Sequence, residues 1–155
     1  MLASGVNHVA IMTSDTERVH EFYCDVFDAS VFADQCHPGL RFSIVNLGPL
    51  FQLNVFEFAD RGEAETGGAR FERGRIDHVG IEAASQDAFD TLRDRLITKG
   101  ATNGFVTDYG AALGMFFSDP DGLELELCLA TPGATADDLK PPGTPAERYA
   151  MAADR

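Results

Sequence analysis

The sequence predicts an α+β fold built from one strand–helix–strand–strand–strand module written twice. Two observations carry that expectation. Val6-Asn7-His8-Val9-Ala10-Ile11 and Ile76-Asp77-His78-Val79-Gly80-Ile81 share one pattern, apolar–polar–His–Val–small–Ile, with the histidines 70 residues apart (78 − 8). Each of these segments then runs into a capped stretch of helical periodicity, and each of those into alternating apolar–polar runs.

In the first copy, the alternating strand around His8 meets Ser14 and Asp15, which supply an N-cap. Val19, Phe22, Tyr23, Val26 and Phe27 recur at helical spacing behind it. Val31-Phe32 reads as a short strand, Asp34–Gly39 as a polar turn, and Leu40–Leu47 as a second strand. Gly48-Pro49 turns the chain into a strongly alternating strand, Leu50–Phe58. The second copy repeats the order. A Ser85 cap opens a helix carrying Phe89, Leu92, Leu96 and Ile97, which Lys99-Gly100 closes. A short strand near Phe105-Val106 and a loop through Tyr109-Gly110 precede a strand at Met115–Ser118. Asp119-Pro120-Asp121-Gly122 then turns into a last strand, Leu123–Ala130.

The predicted organisation is a single domain over residues 1–130, with module one at 5–58, a linker at 59–75 and module two at 76–130. A Pro-, Gly- and Ala-rich tail at 131–155 wraps the surface irregularly and ends in a short helix over 145–155. The chain of 155 residues is 45% hydrophobic, enough for one core, and carries 25 acidic against 12 basic residues, a net charge of −13. Such a field repels phosphate backbones and anionic lipid, so neither nucleic acid nor a membrane surface is an expected partner. Three cysteines without CxxC spacing, Cys24, Cys36 and Cys128, suggest reduced thiols in a cytoplasmic protein. No apolar stretch approaches membrane-spanning length.

Alternation assigns faces. His8 and Ala10 oppose Val9 and Ile11; His78, Gly80 and Glu82 oppose Val79 and Ile81. Gln52, Asn54 and Phe56 oppose Phe51, Leu53 and Val55, while Glu124, Glu126 and Cys128 oppose three leucines. Each sheet therefore has an apolar face for its helix and a polar face whose groups need partners, a ligand or a metal. Aligning the copies by their turns matches Gly48 with Gly122 and thereby Gln52 with Glu126.

These residues bring the chain to a resemblance. Asn7-His8-Val9, Phe22-Tyr23, Asp77-His78-Val79 and the run Asp119-Pro120-Asp121-Gly122-Leu123-Glu124-Leu125-Glu126 resemble the vicinal oxygen chelate superfamily, over roughly residues 5–130. That group includes glyoxalase I, methylmalonyl-CoA epimerase, extradiol dioxygenases, fosfomycin-resistance proteins and bleomycin-resistance proteins. The resemblance implies paired βαβββ modules forming a curved mixed sheet shaped as a cup. It also implies one divalent transition metal (Zn, Ni, Co, Mn or Fe) held by His8, His78, Glu126 and, at a variable fourth position, Gln52. Glu126 is either a ligand or a proton shuttle, and Tyr109, in the loop before the seventh strand, is the other catalytic candidate. Arg41, Asn54, Phe56 and Phe116 are the expected pocket residues, with Arg41 or Ser43 facing the cup. His20 is expected to be a solvated helix residue and His37 a turn residue.

His-Gln-His-Glu is the pattern of the epimerase branch, although Arg41–Leu47 lacks the acid that branch places there. The reaction expected is proton transfer next to a carbonyl of a small oxygen-chelating substrate. Two alternatives remain, a non-haem iron extradiol-type ring-cleaving dioxygenase and a metal-free binding protein of the bleomycin-resistance kind. A homodimer is expected from the resemblance.

Overall fold

In a computed structural model, describing residues 6–60 and 76–141, strand β1 (His8–Thr13) lies parallel to β4 (Gln52–Phe58). The chain reaches β4 through helix α1 (Thr16–Phe27) and strands β2 (Ser30–His37) and β3 (Leu40–Asn46). The sheet order is β1-β4-β3-β2. The second copy has β5 (Val79–Glu82), α2 (Gln86–Thr98), β6 (Thr107–Asp108), β7 (Ala112–Ser118) and β8 (Glu124–Ala130), in the order β5-β8-β7-β6. The fold is α+β. The chain divides into two compact units, residues 1–68 and 69–155, so each module sits in its own unit.

Both helices begin where the sequence places their caps. The Asp15 carboxylate accepts the Arg18 N–H at 3.0 Å, and the Ser85 hydroxyl accepts the Ala88 N–H at 3.1 Å. The Thr16 N–H at the start of α1 donates to Glu57 of β4 at 2.9 Å, placing a carboxylate at the positive end of the helix. Val19, Phe22, Tyr23 and Val26 of α1 are buried with Ile11, Val45, Leu53 and Val55. In the second unit Phe89 and Leu96 of α2 are buried with Met115, Phe117, Leu125 and Leu127. Each such large apolar side chain stabilises the fold by roughly 1.5–3 kcal/mol.

Several elements differ from expectation. β2 extends to His37, so the expected turn over 34–39 shrinks to Pro38-Gly39, where Gly39 adopts φ +76°. The physical reason is pairing: residues from Ser30 to His37 find partners along all of β3. His37 is thus a strand residue opposite Leu40. β4 begins at Gln52, leaving Leu50 81% exposed in the loop, and β7 begins three residues early, at Ala112. β6 lies two residues beyond the expected Phe105-Val106. The first part of the tail is not irregular. It forms a 3-10 turn at Ala136–Asp138 capped by Thr135, and its Lys140 N–H donates to the Tyr109 carbonyl at 2.9 Å. The expected linker core at 61–75 and the expected helix at 145–155 lie outside the described residues. No helix among the described residues is long and apolar enough to cross a membrane.

Candidate metal centre

β5 and β8 run parallel with Gly80 opposite Glu126, and β7 places Phe116 on the other side of Glu126. The face turned from α2 therefore carries Glu126 between a glycine and an aromatic ring. His78, immediately before β5, reaches this face diagonally. Its Nε2 stands 3.3 Å from Glu126 Oε2, and its Nδ1 is 2.9 Å from Asp77 Oδ2. The Asp77 carboxylate is an acceptor for a proton on Nδ1, the tautomer in which Nε2 is available as a metal ligand. The Phe116 ring meets the His78 ring edge-on, with centroids 5.0 Å apart.

Glu126 is 12% exposed, and its Oε1 is buried without a hydrogen-bond partner. Its space is created by Gly114: a Cβ there would collide with Glu126 Oε1 and come within 2.7 Å of the Tyr109 ring. Burial, and then the charge of Glu126, raise the Tyr109 hydroxyl above its ordinary value, so it keeps its proton at neutral pH. The same two causes push the Cys128 thiol up to about 12, which makes it an inert neighbour rather than a nucleophile.

The first unit builds a parallel arrangement. His8 Nδ1 lies 2.9 Å from Asn7 Oδ1, the counterpart of the Asp77 contact. Gln52 is the register partner of His8, and its Nε2 donates to Asn46 Oδ1 at 2.9 Å. Asn54 shares that face, opposite Ala10 and Ile44, and its Oδ1 is buried without a partner. Phe42 and Phe56 pack with centroids 4.8 Å apart, and Phe58 stacks on Phe56 at 6.3 Å.

Three expectations are corrected. Arg41 does not face the polar side. It lies on the helix side of β3, where it donates to Asp34 at 2.6 and 2.9 Å and to Glu17 of α1 at 2.7 Å. Ser43 follows it by alternation and is fully buried, bonded at 2.7 Å to His20 Nε2. His20 is accordingly a core residue, 9% exposed, and not a solvated one. Finally, the turn alignment of the two copies is displaced by one pleat. The loops at 47–51 and 119–123 have equal length, so β3–β4 superimposes on β7–β8 with an offset of 72 (126 − 54, 116 − 44). Asn54, not Gln52, is the counterpart of Glu126. Gly48 and Gly122 occupy different places in their loops, which is why the glycines misalign the strands.

The donor chemistry fits a metal. Two ligand atoms bound to one cation at roughly 2.0–2.2 Å lie about 3 Å apart, and the His78–Glu126 approach of 3.3 Å falls close to that separation. The unpartnered Glu126 Oε1 is the kind of buried oxygen a cation satisfies. Among the described residues of either unit, no group of three or more His, Cys, Asp or Glu comes together; the one donor pair in contact across strands is His78 with Glu126. Beside Phe116, a groove of about 410 Å³ opens between Phe105, Thr107, Ser118 and Glu124. The polar partners Asn7 and Asp77 and the space-making Gly114 were not singled out from sequence. Asn7 and Asp77 were nevertheless visible, since the residue before each histidine belongs to the repeat itself.

The model of the glyoxalase/bleomycin resistance protein/dioxygenase superfamily matches residues 5–127. Among curated proteins none matches. Solved structures share the fold. A glyoxylase/bleomycin resistance protein/dioxygenase domain from Frankia sp. EAN1pec is 22% identical, with a TM-score of 0.68 over 83% of this chain and 99% of that one. A mutant of the fosfomycin resistance protein FosX from Listeria monocytogenes, complexed with Mn(II) and 1S,2S-dihydroxypropylphosphonic acid, is 16% identical. Its TM-score is 0.57 over 85% of this chain and 96% of that one. Lactoylglutathione lyase from Agrobacterium tumefaciens is 17% identical, with a TM-score of 0.58 over 83% and 96%.

Proposed function

Because the chain belongs to the glyoxalase/bleomycin resistance protein/dioxygenase superfamily, we propose that it is a metal-dependent isomerase or lyase of glyoxalase or epimerase type. Its substrate is a small molecule that chelates through two oxygens and exchanges a proton next to a carbonyl. The ligands are His8, His78 and Glu126, with a β4 side-chain amide, Gln52 in the resemblance, as the fourth. The observation that carries this reading is the 3.3 Å approach of His78 Nε2 to a carboxylate whose other oxygen is buried and unpartnered.

Two neutral imidazoles and one carboxylate suit Mn, Fe, Co, Ni or Zn. When bound, such a metal supplies Lewis-acid stabilisation of negative charge on a substrate oxygen. The chain's own residues do the rest. Asn7 and Asp77 hold the imidazoles in orientation through Nδ1. Glu126 serves either as a ligand or, released from the metal, as the shuttle that takes a proton, and Tyr109 retains one to give. Phe116 forms a wall beside His78 and shares the neighbouring groove, which has room for a small organic substrate. The names of the similar structures, a lactoylglutathione lyase and an Mn(II)-bound fosfomycin-resistance protein, support the lyase and metal parts of the reading. A cytoplasmic homodimer is the form we propose.

Metal analysis after chelator-free purification tests this directly. A transition metal should co-purify with the parent and be lost in His8→Ala and His78→Ala. Solvent deuterium should enter substrates at the carbon next to a carbonyl. Oxygen uptake with catechols would replace the proposal by the ring-cleaving reading. Absence of metal from the parent, with no stabilisation on adding it, would replace it by the binding-protein reading.

A further inference from the structure

We infer that the segment Thr131–Lys140 is a strap that holds the Tyr109 phenol beside Glu126, with Lys140 as its main positioning residue. The inference rests on the proton-donating role proposed for Tyr109 and names what keeps that side chain in place. All the residues involved lie in the second unit.

The Tyr109 loop needs holding. Strand β6 has two residues, paired as Thr107 with Gly114 and Asp108 with Leu113. So short a ladder is marginal by itself. Yet Tyr109, which follows it and is 37% exposed, keeps its ring over Gly114. A Cβ at Gly114 would stand 2.7 Å from Tyr109 Cε2 and would collide with Glu126 Oε1, so the ring edge and the carboxylate share one small space.

The strap supplies the hold. Three consecutive carbonyls of the loop accept hydrogen bonds from its two ends. Tyr109 O takes the Lys140 N–H at 2.9 Å, Gly110 O the Thr131 hydroxyl at 3.3 Å, and Ala111 O the Thr131 N–H at 2.9 Å. The Lys140 ammonium adds an ion pair with Asp108 at 3.0 Å. Gly110, at φ +87°, leaves its Cβ position to the Asp138 carbonyl, so the strap lies directly against the loop backbone. The strap is itself braced. The Ala134 N–H returns to the Thr131 carbonyl, and Thr135 and Asp138 form a reciprocal capping box around the 3-10 turn. Its backbone donors outrank the ammonium, because a partly exposed ion pair contributes little and an unpaired carbonyl costs more.

Lys140→Pro isolates the backbone donor. Leu139 already has φ −64° and ψ 129°, the extended conformation a following proline requires, so the N–H is removed without reshaping that residue. Hydrogen exchange and two-dimensional NMR of the full chain read the result. In Lys140→Pro the Tyr109 and Gly110 amides should exchange about tenfold faster, and the cross-relaxation signal between the Tyr109 ring and the Gly114 α-protons should disappear. Lys140→Met keeps the N–H; exchange should rise by no more than about threefold and the ring signal should persist. Thr131→Val, at the other end, should raise exchange at the same amides about threefold. Exchange in α2 at the parent rate shows that a variant is folded, and if Lys140→Pro does not fold, Thr131→Val decides. A ring signal and loop exchange unchanged from the parent in the folded variants overturn the inference. Neither readout involves a metal, so the two levels separate. A parent that binds no Mn(II) would sink the proposed chemistry and leave the strap standing; a ring that stays on Gly114 would sink the strap and leave the chemistry.

Discussion

Gly114 and Glu126 occupy neighbouring strands so that the missing side chain of one makes room for the carboxylate of the other. Gly114 has no left-handed backbone to relax, so Gly114→Ala acts through contact alone. The displaced groups are the end of a flexible glutamate and the edge of the Tyr109 ring, which can shift without unfolding the sheet. Gly114→Ala should therefore weaken metal binding about tenfold with little change in melting temperature. An unchanged metal affinity would show that the Glu126 position is not needed.

The twin contacts at Nδ1 predict an asymmetry. Asp77 offers a carboxylate to His78 and Asn7 only an amide to His8. Removing such outer partners typically lowers metal affinity by about 10- to 100-fold. Asp77→Ala should fall toward the upper end and Asn7→Ala toward the lower. Equal losses in the two titrations would contradict the role assigned to the charge.

His20 and Ser43 predict a stability effect with no metal effect. Their 2.7 Å bond is buried on the helix side of β3. Ser43→Ala leaves the imidazole unsatisfied and should cost about 1–3 kcal/mol in urea unfolding. Mn(II) affinity should stay at the parent value; a large change there would mean that the pair communicates with the polar face.

Two left-handed glycines separate backbone strain from collision. Gly39 has φ +76° and open space where a Cβ would stand, so Gly39→Ala should cost about 1–2 kcal/mol from conformation alone. Gly110 has φ +87°, and the Asp138 carbonyl occupies its Cβ position. Gly110→Ala should cost more than Gly39→Ala and should loosen the tail from the Tyr109 loop, raising amide exchange at residues 108–112. Equal costs would mean that the tail does not pack there in solution.

Acid stability follows from two depressed carboxylates. Hydrogen bonds from Arg41 hold Asp34 below its ordinary 3.8, and hydrogen bonding from Thr16 holds Glu57 below 4.5. A carboxyl group with a lowered folded pKa adds stability above its unfolded pKa and loses it as pH falls through the folded value. Asp34→Asn and Glu57→Gln should thus be less stable than the parent at neutral pH, with the gap closing in strong acid. A gap that stays constant in urea unfolding across that range would remove the electrostatic cause.

The duplicated module, both helix caps and the split of each sheet into a helix face and a polar face were legible in the chain before any fold was known. Those features are local: a two-residue period, a 3.6-residue period and a capping side chain need no knowledge of distant neighbours. Arg41 and Ser43 show where such reasoning stops. In β3 both faces carry apolar groups, Phe42 and Ile44 on one and Val45 on the other, so alternation could not say which one meets α1. The ion pair with Glu17 and the bond to His20 decided it. The one-pleat displacement from Gln52 to Asn54 has the same origin. Register is set by hydrogen bonding between strands far apart in sequence, and a glycine in a turn does not report it. The resemblance already put His78 beside Glu126; only the strand registers showed that Asn54, not Gln52, holds the place equivalent to Glu126.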